Sequence, residues 1–188
     1  MKQLPLMLDE SAEVIYRIDT DDLLIFFNAQ WDFFAEENGR ADLAGMKISR
    51  TSIWQFIHGA ETRHLHQILL KKVRSKDVML DLAFRCDAPA LRRFMRMQIY
   101  GKGNGQVEYR TRIIRTEPRD ALRIGTSVVT QAGPLLRQCS WCNRIDVGRD
   151  TWMEIEDAVN FLDLFSSVEV PQMTHTICMA CFNTLEDA

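Results

Sequence analysis

The chain reads as an α+β protein, with an antiparallel sheet, helices on one face of it, and a small helical C-terminal extension. Three features of the sequence carry this reading. Apolar residues alternate with period two through 79–113, they recur at helical spacing through 60–75, and two C-x2-C pairs, Cys139/Cys142 and Cys178/Cys181, stand beyond residue 138. With 46% hydrophobic and 26% charged residues in a length of 188, the chain can bury a core and is too apolar to stay disordered.

The elements follow in order. Val14–Ile18 and Leu23–Phe27 are short apolar runs around Asp19-Thr20-Asp21-Asp22, whose side chains suit a tight turn, so a hairpin opens the domain. Asn28 can cap the helical stretch AQWDFFAEENG, where Trp31, Phe34 and Ala35 share a face and Gly39 supplies the stop. Leu65, Ile68, Leu69 and Val73 mark a longer helix between Ala60 and Ser75. Met79 to Phe84 begins a set of three strands. Met95, Met97 and Ile99 alternate with Phe94, Arg96 and Gln98, then Val107, Tyr109, Thr111 and Ile113 oppose Gln106, Glu108, Arg110 and Arg112, with Asn104-Gly105 making the reversal between them. Two strands, helices and a closing three-stranded meander therefore occupy residues 10–118. Residues 119–138 read as a linker containing the breaker Gly133-Pro134, and residues 139–188 as a cysteine-rich extension. Within that extension Thr151-Trp152-Met153-Glu154 has the form of a capping box, which starts a helix striped by Trp152, Ile155, Val159 and Leu162.

The two cysteine pairs are the strongest chemical signal. Separated by 35 residues, they let two thiolate hairpins converge on one tetrahedral cation, and four soft sulfurs favour zinc. Four protein ligands leave no open position, so Cys139, Cys142, Cys178 and Cys181 make a structural zinc site rather than a catalytic one. Metal closure then holds a segment too small to fold unaided. His175, three residues before Cys178, is assigned a place behind the ligands or on the surface rather than in the ligand set. Disulfide exchange is the rival use of the thiols, less favoured because both pairs are present. Neither pair is followed by His, so covalent haem attachment is excluded.

Charge narrows the functional classes. The net charge of -3 argues against a protein that coats nucleic acid. Residues 85–123 nevertheless hold ten Arg or Lys, and the stretch from 143 holds nine acids against Arg144 and Arg149, so the middle and the tail are complementary and expected to touch. A nucleic-acid regulator using Arg96, Arg110 and Arg112 with a zinc knuckle is the alternative reading, disfavoured because Glu108 intrudes and stacking aromatics are sparse. No spacing assembles a nucleophile with its base, so no enzyme activity is expected. No apolar run is long enough to cross a membrane, and the N-terminal residues lack a signal-peptide pattern, which makes the cytoplasm the expected location.

The element order together with VIYRIDTDDLLIFFNAQWDFFAEENG resembles a PAS domain. SIWQFI, ETRHLHQILLKKVR, FRCDAPALRRFMRM and the tail CSWCNRI...W...THTICMACF are similar to small bacterial PAS-like proteins, and such cysteine tails also stand beside PAS domains in signalling kinases. Related tails commonly read His-Gly-Ile-Cys-Pro-x-Cys, where this chain has His175-Thr176-Ile177-Cys178-Met179-Ala180-Cys181 and lacks that Gly and Pro. The resemblance implies a sensory or protein-interaction module that works by binding, with a signalling protein as partner and a homodimer as a plausible assembly. It also implies a small-ligand pocket, placed near Phe26, Trp31, Phe34, Trp54 and Phe56, without naming the ligand.

Overall fold

A computed structural model describes residues 12–76, 78–88, 90–119, 135–164 and 172–187. Its first half is one five-stranded antiparallel sheet in the order β2-β1-β5-β4-β3, built from β1 (Val14–Ile18), β2 (Leu24–Phe27), β3 (Met79–Arg85), β4 (Leu91–Gly101) and β5 (Val107–Pro118). The two N-terminal strands are separated from the last three by α1 (Ala29–Glu37), the single turn α2 (Gly45–Ile48) and α3 (Ala60–Lys76). The expected α+β fold is therefore the observed one.

Alternation decides which side of the sheet is covered. Leu80, Leu82, Met97, Ile99, Val107 and Tyr109 are buried and join Leu65, Leu69, Leu70 and Val73 of α3 in one core. Local chemistry fixes the connections. Asp19 Oδ1 accepts from the N–H groups of Asp21 and Leu23 in the β1–β2 turn. Asn28 Oδ1 accepts from Trp31 N, capping α1, and also from Ile15 N, which ties the helix to β1. Gly103 and Gly105, both at positive φ, turn β4 into β5. Arg74 of α3 donates to the carbonyls of Asp19 and Gly105, so one side chain holds the helix against both hairpin turns.

The C-terminal extension holds the expected helix, α4 (Ile155–Phe161), and more besides. A second sheet in the order β8-β7-β6-β9 joins β6 (Leu135–Cys139), β7 (Ile145–Asp146), β8 (Trp152–Met153) and β9 (Gln172–Thr176), and α5 (Met179–Glu186) closes the chain. Most of the predicted linker lies outside the described residues, but Leu135 to Gln138 belong to β6. The capping box does not form: Trp152 and Met153 pair with Asp146 and Ile145 as a strand, and the helix starts only after Glu154. The Glu154 carboxylate is engaged by Arg85 and Arg144 instead of reaching back to a helical N–H.

Candidate metal centre and ligand cleft

The four cysteines converge because two strands run side by side. Strands β6 and β9 pair in parallel with Cys139 beside Thr176, so each strand delivers its chain to a cysteine turn at the same end. In the first turn Asn143 takes a left-handed φ of 62° and donates its N–H to the Cys139 carbonyl, folding Cys142 back toward Cys139. In the second, Cys178 occupies the N-cap position of α5 and Cys181 follows within its first turn, which puts both residues at the positive end of the helix. The four Sγ atoms all lie within 4.8 Å of one another. Cys142 Sγ and Cys178 Sγ are 3.9 Å apart, close to the edge of about 3.8 Å for a tetrahedron with metal–sulfur bonds of about 2.3 Å. All five cysteines of the chain are free thiols. Hydrogen bonds from the Cys142 and Cys181 thiols, with the Cys178 amide 3.4 Å away, hold the Cys139 thiol well below its usual pKa. The donors shift the other way, Cys142 up to about 12. The arrangement is able to hold a metal ion. His175 stands outside this group, exposed on β9 beside a depression that also touches Phe56, His58 and Ser140.

The cysteine lobe is seated on the end of β3. Trp141, between the first two cysteines, is 6% exposed and packs at 6.0 Å from Phe84 and 5.9 Å from His66. Its indole Nε1 donates to the Ala83 carbonyl at 2.6 Å, and its own carbonyl accepts from Arg85 N at 2.9 Å. Beyond this plug lies the charge complementarity expected from the sequence. Arg85 reaches Glu154 at 2.5 Å and also pairs with Asp87. Arg92 binds Glu156 at 2.7 Å, and Arg119 lies 3.3 Å from Glu156 and 3.5 Å from Asp87. These pairs are half-buried or better rather than the solvated surface pairs anticipated. Burial pushes the Glu154 carboxyl up, but the Arg85 and Arg144 hydrogen bonds outweigh it and leave the pKa below its ordinary value.

The same end of β3 forms one wall of a cleft of about 460 Å³ between α1 and the sheet. Trp31 and Phe34 of α1 line it together with Val14, Phe84, Met95 and Arg93. The other three aromatic residues assigned to a pocket stand elsewhere. A bulge in β2 opposite Arg17 and Ile18 reverses the strand's parity, so Phe26 faces outward under the Arg17 guanidinium at 4.4 Å. Trp54 donates to Asp22 Oδ2 and borders a separate depression with Arg74, and Phe56 is exposed near His175. Sequence reasoning overlooked Arg93 and Asp87, which with Arg40 bring charge into this cleft. The available signal was the Arg92-Arg93 pair opening a strand of buried methionines.

The outer face of the sheet carries the arginines of the nucleic-acid reading. Arg96 is bound to Asp81, and Arg110 shares Glu108 with Arg17. Two of the three arginines are thus answered within the protein, while Arg112 is exposed on the same face. Among the described residues no helix is long and apolar enough to cross a membrane.

No family model matches the chain, and no curated protein does. Solved structures match part of it at low identity. A sensory box sensor histidine kinase from Vibrio cholerae is 9% identical over 57% of this chain and 85% of that one, with a TM-score of 0.39. The PAS domain of BvgS from Bordetella pertussis is 17% identical over 61% of this chain and 81% of that one, with a TM-score of 0.36.

Proposed function

We propose that the protein is a PAS-like sensory or interaction module that acts by binding rather than by catalysis, with a structural zinc ion held by Cys139, Cys142, Cys178 and Cys181. The observation that carries this reading is the double use of residues 83–87. Phe84, Cys86 and Asp87 line the cleft, while Ala83 and Arg85 receive the cysteine lobe through Trp141 and Glu154. A molecule in the cleft therefore touches the same backbone that seats the lobe, and the lobe is the surface offered to a signalling partner.

Zinc fits the ligand set because four thiolates complete its tetrahedron and exclude the bound water that hydrolytic chemistry requires. Its work is to fix the two cysteine turns and thereby the lobe. Native mass spectrometry of the full chain, purified without added ligand, tests the reading. The expected result is one zinc per chain, with small-molecule occupancy and oligomeric state read from the same spectra. Cys142→Ser is expected to release the metal and expose residues beyond 138 to protease while the first sheet stays folded. Reduced protein that contains no metal yet keeps a protease-resistant lobe would overturn the zinc assignment and favour a thiol redox role.

A further inference from the structure

We infer that the cleft takes a small organic monocarboxylate, with its apolar body against Trp31, Phe34 and Met95 and its anionic group on Arg93. This rests on the proposed reading of the cleft as a ligand site. Arg93 is a side chain of the cleft wall and is only 4% exposed. Its Nε donates to the Cys86 carbonyl at 2.7 Å, its Nη2 donates to Asn38 Oδ1 at 2.6 Å, and its guanidinium lies 5.1 Å from the centre of the Phe34 ring. These contacts fix the fork while using two of its five N–H donors.

The neighbouring arginines Arg85, Arg92 and Arg119 each have carboxylates within ion-pair distance. Among the described residues none lies that close to Arg93. A buried guanidinium without a counter-ion is an unfavourable arrangement that an anionic ligand relieves. Arg40, also on the cleft wall, is no competitor, because it is more than half exposed and bound by Asp42.

The surroundings select the class of anion. Among the described residues Asp87 is the one carboxylate on the wall, and it is held by Arg85, with Arg119 at 3.5 Å and the Arg93 amide donating to Oδ1. Among the described residues the cleft thus offers one unpaired cation, beside the C-terminal end of α1 rather than an N-terminus. A phosphate dianion would meet a single positive group and a nearby negative one, whereas a planar monocarboxylate matches the fork and its single charge. The volume of about 460 Å³ and the aromatic walls suit an aryl or alkyl body.

The test is a titration of the full chain, labelled with 13C at the methionine methyls, against phenylacetate, phenylacetamide and inorganic phosphate at equal ionic strength. Met95 lines the cleft and reports occupancy. Phenylacetate is expected to shift the Met95 signal with a Kd at least about tenfold below that of phenylacetamide. Phosphate should leave the signal unmoved, and Arg93→Gln should bring the acid and the amide to parity. The comparison of ligands on the parent protein stands even if that variant does not fold. An amide that binds as tightly as the acid, or phosphate that binds more tightly, overturns the monocarboxylate assignment and leaves the cleft a ligand site. If neither aryl compound moves Met95 at millimolar concentration, the cleft reading fails together with the inference.

Discussion

Replacing Trp141 by Ala is expected to detach the cysteine lobe from the sheet while leaving its four cysteines in place. The indole is 6% exposed, and a side chain of this kind buries about 150–250 Å². At about 25 cal/mol per Å² the lost burial comes to about 4–6 kcal/mol, and measured truncations of buried aromatic residues fall at about 3–5 kcal/mol. The Ala83 carbonyl also loses its donor at 2.6 Å. A destabilisation of about 4 kcal/mol is therefore expected for Trp141→Ala. Trp141→Phe keeps most of the apolar area and loses the N–H, at a cost of about 1–2 kcal/mol. Urea unfolding followed by circular dichroism, with metal content measured in parallel, reads both changes. The lobe of Trp141→Ala should become protease-sensitive at denaturant concentrations where the sheet is still intact. A single unfolding transition within about 1 kcal/mol of the parent, with the lobe protected throughout, would show that Trp141 does not seat it.

Two further outcomes follow from buried polar atoms. Tyr109 is fully buried against Tyr16, with ring centroids 4.5 Å apart, and its hydroxyl has no hydrogen-bond partner among the described residues. Tyr109→Phe should stabilise the fold by about 1 kcal/mol in thermal or urea unfolding, and a loss of stability would mean that the hydroxyl is satisfied. His66 is packed on Trp141 with Nδ1 buried and without a hydrogen-bond partner among the described residues, and burial pushes its pKa down to about 4. The unfolded chain protonates near the ordinary 6.5, so the contribution is present above pH 6.5 and is lost as pH falls toward 4, by about 2–3 kcal/mol. His66→Leu should flatten that part of the stability profile, and parallel profiles for parent and variant would count against it.

Periodicity in the sequence exposed the sheet because the buried residues of β4 and β5 alternate without interruption over most of their length. It assigned faces rather than cover. Glu108 lies on the outer face as its parity demands, yet it is 1% exposed because Arg17 and Arg110 bond it and Lys102 stands 3.8 Å away. Burial raises its pKa, but the arginine hydrogen bonds outweigh burial and leave a net depression that no alternation pattern foretells. Phe26, assigned to the pocket, faces outward because one bulged residue in β2 turns the strand over, which nothing in the sequence marks. At the cysteine site, spacing picked out the four cysteines that come together but not the route by which they meet. The strand Gln172–Thr176 has little apolar character, and its parallel partner β6 is more than thirty residues earlier in the sequence. Nothing local marks such a pairing.

The contact between sheet and lobe combines two kinds of interaction with different consequences. Trp141 supplies apolar burial, which is strong and tolerant of small rotations. The ion pairs from Arg85, Arg92 and Arg119 to Glu154 and Glu156 contribute less net stability because desolvation offsets attraction, but they penalise misalignment through their short, directed hydrogen bonds. Asp87 belongs to both systems. It accepts from the Arg93 amide on the cleft side and pairs with Arg85, whose other arm holds Glu154 of the lobe. A ligand that draws Arg93 toward itself thus acts on Asp87 through one hydrogen bond and on the lobe through the next ion pair. The lobe can be reoriented by no more than the difference in the ligand's affinity for the two arrangements. A few kcal/mol of such difference suffices to change the population where the contact rests on near-balanced ion pairs, and would not where the whole contact was a hydrophobic seam.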